Sequence, residues 1–215
     1  MNLLTKNAKI IPLQGSIILA VSTHVKKVKK IVFSALLTAL QDIMGEDGKK
    51  SVLRFAGLDE FINKEVPPSL DESISFETFK ALLQSMHNLL GHGTNAILYE
   101  SGRKFALYLS PFGISLEDII KKLAVWLGGD WEIQKVPDDP AQSILKIKNC
   151  PICQGITSSN PVCHIISGTI SRIKEEATGI KYFVKEIACI ATGDDSCDFL
   201  IKPESSTKVE DKLAW

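Results

Sequence analysis

All five cysteines of this 215-residue chain fall between positions 150 and 197. Wherever the rest of the chain goes, this stretch must be folded so that reduced thiols are either buried or put to use. An odd number of thiols, with no charged-then-apolar leader ahead of a cleavage site, suggests a cytoplasmic setting and metal chemistry rather than a disulfide framework. Within the stretch, Cys163 precedes Glu186 by 23 positions, Glu186 precedes Cys189 by three, and Cys189 precedes Cys197 by eight. Three thiolates and a carboxylate make a donor set suited to Zn²⁺.

Local patterns support convergence of these donors. Asn160-Pro161 reads as a helix start, with Val162, Ile166, Thr169, Ile170 and Ile173 at helical spacing and Gly179 as the stop. Cys163 then falls in the first turn, where the helix dipole favours a thiolate. Residues 181–190 and 198–201 read as strands around a Thr192-Gly193-Asp194-Asp195-Ser196 turn, so Cys189 and Cys197 would flank a hairpin loop. One obstacle stands in the spacing. Residues three apart on a regular strand face opposite ways, so Glu186 and Cys189 can share an ion only if the strand bulges or ends between them. Spacing alone leaves two readings open: a zinc site, or buried thiols serving as small apolar side chains.

Pro161-Val162-Cys163-His164, Gly168, Glu186-x-x-Cys189, Gly193-Asp194 and Cys197-x-Phe199 together resemble the C-terminal signature of the 4-vinyl reductase domain. Tyr99-Glu100-Ser101-Gly102-Arg103 also resembles a helix of that family. The resemblance extends over about residues 95–201. The family includes an accessory protein of bacteriochlorophyll synthesis, archaeal hydrocarbon-binding proteins and the sensor domain of phenol-responsive transcription activators. Its fold is related to small subunits of the TRAPP vesicle-tethering complex. Carried onto this chain, the resemblance implies zinc on Cys163, Glu186, Cys189 and Cys197. Four protein donors close the coordination sphere, so such an ion would be structural rather than catalytic.

Cys150-Pro151-Ile152-Cys153 is a second thiol pair. Three readings stay open for it: plain loop thiols, metal involvement, and redox or covalent chemistry. It precedes a Ser-Asn loop rather than opening a helix, unlike a thioredoxin motif, and Gln154 stands where haem attachment needs His. Of the histidines, His164 adjoins Cys163 and could support the site from behind. His87 could make one polar contact inside an apolar pocket.

The remaining chain is mixed. From Thr23 a helix with a lysine-rich outer face is expected to about Ile43, preceded by two short apolar runs over residues 1–22 that suit a hairpin or arm. A Gly45–Gly48 turn separates it from a short helix over 49–56. Residues 64–75 read as an exposed loop. Helices are expected over 76–90, 95–109 and from Ser115, whose spacing to Asp118 resembles a capping box, to Gly128-Gly129. Gly102 in mid-helix suggests close packing of another element. Residues 131–136 and 143–148 alternate as strands around a Pro137–Pro140 turn. The expected fold is α+β, with N-terminal helices packed on an antiparallel sheet of about four strands. The expected organisation is a dimerising N-terminal region (1–75), a ligand-binding domain (76–203) and a tail (204–215).

Function follows from what is present and what is missing. The formal net charge is zero, which gives no footing for general nucleic-acid binding. No apolar run approaches the roughly 20 residues of a membrane span, although the lysine face allows peripheral contact. The sequence carries no nucleophile elbow, no GxGxxG and no phosphate-binding loop, so no hydride-transfer machinery supports a vinyl reductase reaction. The reading is a zinc-stabilised module, homodimeric and working through a protein partner. It would bind a small hydrophobic ligand: an aromatic hydrocarbon, or a tetrapyrrole in pigment synthesis or photosystem assembly. Phe105, Trp126, Trp131 and Phe183, with His87, are the candidate lining residues. The alternatives are a subunit of a vinyl-reducing enzyme and a protein-interaction scaffold.

Overall fold

The computed structural model describes residues 27–90, 95–109, 111 and 115–204. The N-terminal apolar runs, the Gly91-His92-Gly93 and Ser110–Gly113 breaks and the tail from 205 lie outside these residues.

Alternation over the second half of the chain builds a four-stranded antiparallel sheet. Strand β3 (Asp130–Val136) and β4 (Asp139–Lys148) form a tight hairpin. Strand β5 (Tyr182–Ala188) and β6 (Cys197–Pro203) form a second. The spatial order is β3-β4-β6-β5. The first turn is shorter than Pro137–Pro140 suggested: Asp139 already pairs with Val136, across an irregularity at the start of the ladder. Register puts Ile147 opposite Cys197, Leu145 opposite Phe199 and Val184 opposite Ile201, and all six are fully buried. A period of two then carries Glu186 onto the same inner face as Val184.

Five helices cover that face or lie beyond it: α1 (Lys30–Phe55), α2 (Phe76–Leu90), α3 (Asn95–Leu109), α4 (Leu116–Leu127) and α5 (His164–Thr178). The Ser115 hydroxyl accepts the Asp118 amide at 3.1 Å and caps α4. Three expectations need correction. The first helix starts at Lys30, because Lys27–Lys29 form strand β1. Residues 64–75 are not all loop, because Ser73–Ser75 form strand β2, which pairs with β1. Three-residue strands are too short to show alternation. The 49–56 segment is the second half of α1, bent at Gly45, whose φ of 74° interrupts the helical backbone.

α3 and α5 cross at their glycines. A Cβ on Gly102 would overlap the carbonyl of Ile165, and one on Gly168 would overlap the carbonyl of Tyr99. The Thr169 hydroxyl donates to the Ile165 carbonyl at 2.7 Å and lies 3.2 Å from that of Gly102. At the far end of the crossing, Arg103 binds Glu175 at 2.6 Å and donates to Ser171 at 3.1 Å; Ser171 donates to the Tyr182 carbonyl at 2.8 Å. One cluster of buried apolar side chains runs from Val28 to Ile201. Among the described residues no helix is long and apolar enough to cross a membrane.

Candidate metal centre

The end of β5 resolves the spacing obstacle. The β5–β6 register slips between Glu186 and Ala188, and β5 ends there. This irregularity returns Cys189 to the side of Glu186 despite their spacing of three. Beyond it, a single 3₁₀ turn (Ile190–Thr192) is held by Asp194, whose carboxylate accepts the Cys189 amide and the Thr192 hydroxyl, each at 2.9 Å. Gly193 closes the turn at φ 102°. Cys197 then opens β6 on the inner face. Cys163 sits one residue outside the helix, as the N-cap of α5 rather than in its first turn. Its amide donates to Glu186 Oε2 at 2.8 Å, so the exposed start of the helix is tied to the strand that carries the carboxylate. Cys150 and Cys153 occupy the turn after β4, and both are buried.

The five thiols and Glu186 meet in one place. Two sets of four donor atoms each lie within 4.8 Å of one another: Cys163, Glu186, Cys189 and Cys197, and Cys150, Cys153, Cys163 and Cys197. Sulfur–sulfur separations are 3.9 Å for Cys150–Cys163, Cys163–Cys197 and Cys189–Cys197, and 3.4 Å for Cys153–Cys197. A tetrahedral ion with metal–sulfur bonds of about 2.3 Å sets its ligands about 3.8 Å apart. The thiols are all unpaired by disulfides. Glu186 is only 7 % exposed, and its Oε1 meets no hydrogen-bond donor among the described residues. A buried carboxylate oxygen without a donor is costly unless a cation faces it. The residues therefore fit a thiophilic divalent ion.

Electrostatics point the same way. Hydrogen bonds from Cys150 first, then Cys163, Cys189 and Cys197, hold the Cys153 thiol far below its ordinary range, while the same crowding pushes Cys163 and Cys197 up. The metal-free cluster thus accommodates one thiolate easily and resists several. Burial, reinforced by Cys189, raises Glu186 from 4.5 to about 9. The metal-free fold should therefore be most stable where Glu186 is protonated in both states, and should lose stability as pH rises from about 4.5 towards 9. In chelator-treated protein, Glu186→Gln should flatten this slope and melt above wild type at pH 8, by up to a few kcal/mol. With zinc added, the order should reverse. Thermal melts at pH 5 and pH 8 check both statements; equal slopes for the two proteins would contradict the first.

The other candidates are not gathered. Phe105 and Trp126 are core residues, and the half-buried Trp131 donates its indole N–H to the Gly128 carbonyl at 2.8 Å. Phe183 lines an open, polar cleft of about 390 Å³ with Tyr99, Arg103 and Lys181. His87 lies elsewhere, on a small enclosed cavity of about 10 Å³ whose other walls are Leu83, Leu98, Ile152, Ile156, Val162 and Ile165. His164 adjoins this region; burial, and then His87, hold its imidazole below the ordinary value. The six apolar walls were hidden in the sequence among ordinary core positions. Ile152 alone carried a signal, because it stands between the two cysteines of the CxxC.

Comparison with known proteins adds the family context. The profile of the vinyl-4-reductase domain matches residues 143–203. An uncharacterized protein of Methanocaldococcus jannaschii is 28 % identical over 167 residues, covering 74 % of this chain and 90 % of its own. A second from that organism is 32 % identical over 118 residues, covering 51 % and 67 %. Among solved structures, a vinyl-4-reductase family protein from M. jannaschii aligns at TM-score 0.48 with 24 % identity, covering 72 % of this chain and 91 % of that one. An H-NOX protein from S. oneidensis, solved in an Fe(II)NO ligation state, aligns at TM-score 0.55 with 12 % identity, covering 82 % and 99 %. At that identity the likeness is one of fold.

Proposed function

Because this chain belongs to the vinyl-4-reductase domain family, we propose that it is a zinc-stabilised module that binds a small hydrophobic ligand, of the size of one aromatic ring. The observation that carries this reading is the wall of the His87 cavity. Three of its seven lining residues, Ile152, Ile156 and Val162, belong to the loop between β4 and α5. That loop is fastened to the cysteine cluster at both ends, through Cys150 and Cys153 and through Cys163. The metal centre thus holds one side of an apolar space, and His87 supplies a single polar group to orient a guest.

Zinc suits the donors Cys163, Glu186, Cys189 and Cys197: it accepts thiolate and carboxylate together and favours four-coordination. Bound there, it would supply charge compensation and a cross-link, not an open coordination position. The chain's own residues do the rest. The Cys163 amide fixes the Glu186 carboxylate, and the Asp194 turn fixes Cys189.

The enclosed cavity has about 10 Å³, room for one water. Apolar cavities that take benzene are about 150 Å³. A guest must therefore displace a wall, and the loop is the wall that is not part of a helix. Ligand entry would be felt at the metal-fastened loop, which is what a sensor requires. The required displacement favours a single ring over a macrocycle, and so favours hydrocarbon sensing over pigment handling. Output would pass through a protein partner or a second copy.

A titration of the zinc-loaded chain with phenol and with benzene, followed by isoleucine methyl NMR, tests this. The Ile152, Ile156 and Ile165 methyls should shift in a saturable manner, and Leu98→Phe, which fills the space, should abolish the shifts. Shifts confined to other regions, or none up to the solubility limit, would sink the proposal.

A further inference from the structure

We infer that the cysteine cluster is a two-ion centre. A second thiophilic divalent ion would sit on Cys150, Cys153, Cys163 and Cys197, beside the one on Cys163, Glu186, Cys189 and Cys197, with Cys163 and Cys197 bridging both. This rests on the zinc reading above and extends it to the CxxC pair.

The count of donors is the first support. Two tetrahedra that share one edge need six donors. The two four-membered sets share two members, and together they comprise the five thiols and Glu186. The second support is the position of the shared pair. Cys163 and Cys197 lie 3.9 Å apart, close to a tetrahedral edge, and both sets are built on that edge. Cys150 stands 3.9 Å from Cys163, and Cys153 stands 3.4 Å from Cys197. Both are as buried as the sulfurs of the first set. A thiolate has lone pairs for two ions, and the Ile190 amide, 3.4 Å from Cys197 Sγ, supports the charge on that sulfur.

Charge is the third support. One divalent ion on four anionic donors leaves a net charge of minus two. Two divalent ions on six anionic donors leave the same. Adding the second ion, with loss of the Cys150 and Cys153 protons to solvent, therefore buries no further net charge. Without it, two thiols are packed against metal-bound sulfurs and have nothing to coordinate.

The experiment uses the full chain, stripped of metal by chelator under reductant and titrated with Zn²⁺ or Co²⁺. Native mass spectrometry counts the ions, and electron paramagnetic resonance follows the cobalt. Wild type should take two ions per chain. The Co²⁺ signal of the first equivalent should fall as the second binds, because thiolate-bridged ions couple. Cys150→Ser with Cys153→Ser keeps the Glu186 set complete and should take one ion.

A single ion in wild type overturns the inference. If the double variant retains that ion, the one-zinc reading survives alone. If the double variant loses it while Cys189→Ser keeps it, the Glu186 assignment falls as well. No ion in wild type removes both readings. Inorganic sulfide with visible absorbance in protein from cells, or a Cys150–Cys153 disulfide in the loaded protein, also overturns the inference.

Discussion

Cys197→Ser should abolish metal binding and lower the melting temperature of the loaded protein by about 10 °C or more. Cys197 lies in both donor sets, within 3.9 Å of Cys153, Cys163 and Cys189. Its loss therefore breaks both tetrahedra, whereas Cys189→Ser or Cys153→Ser breaks one. Structural zinc in small peptides supplies about 10–16 kcal/mol of apparent folding energy. Here a continuous apolar core carries much of the stability, so a smaller share, about 4 kcal/mol or more, is expected to depend on metal. For a chain of this size that is about 8–16 °C. The control is chelation. Metal removal should bring wild type down to the variant and leave the variant unchanged. A variant that melts within 2 °C of loaded wild type would show that the cluster is inert packing.

Gly168→Ala should be the most damaging change outside the cluster. On an isolated helix, alanine in place of glycine gains about 1 kcal/mol. At Gly168 the new methyl would meet the Tyr99 carbonyl, and at Gly102 it would meet that of Ile165. Those are backbone atoms of a packed helix and cannot swing aside as a side chain can. The helices would have to separate, giving up contacts along the whole α3–α5 seam, so the loss should exceed the roughly 1–3 kcal/mol usual for overpacking. Unfolding in urea should show it as a midpoint shift, with Gly102→Ala similar. The paired change should cost less than the sum of the two, because one separation relieves both clashes. Any gain in stability for Gly168→Ala would mean that the helices cross further apart than described.

These two predictions concern different parts of the sequence, and the sequence spoke differently about each. Gly102 stood out because glycine in mid-helix is unfavourable, so its partner could be expected but not named. Gly168 belonged to the family signature, without a reason attached. The Cys163, Glu186, Cys189 and Cys197 set could be listed from the resemblance, while spacing left it balanced against inert core. What the sequence withheld was the register slip after Glu186, which depends on how β6 pairs with β5 and has no local mark. The β1–β2 pair was invisible for a related reason: Val28 opposite Ile74 is a long-range fact about two three-residue segments. The early start of β4 was masked by Pro140, which suggested a breaker but lies inside the strand.

The candidate ligand residues show the limit of reading aromatic side chains as pocket. Phe105, Trp126 and Trp131 went to the core or its margin. The enclosed space is walled instead by aliphatic residues from three helices and one loop. Leu83 and Leu98 belong to apolar helix faces that look uniform in sequence. Only the assembled fold shows which members of a face meet a void.

The central claim is that metal joins Cys163 and Glu186 to Cys189 and Cys197. Anomalous diffraction at the zinc edge, on crystals of the chain grown without added metal, addresses it most directly. A zinc peak within bonding distance of those four side chains is the expected result. No peak there, with Glu186 Oε1 facing only sulfur and carbon, would contradict it.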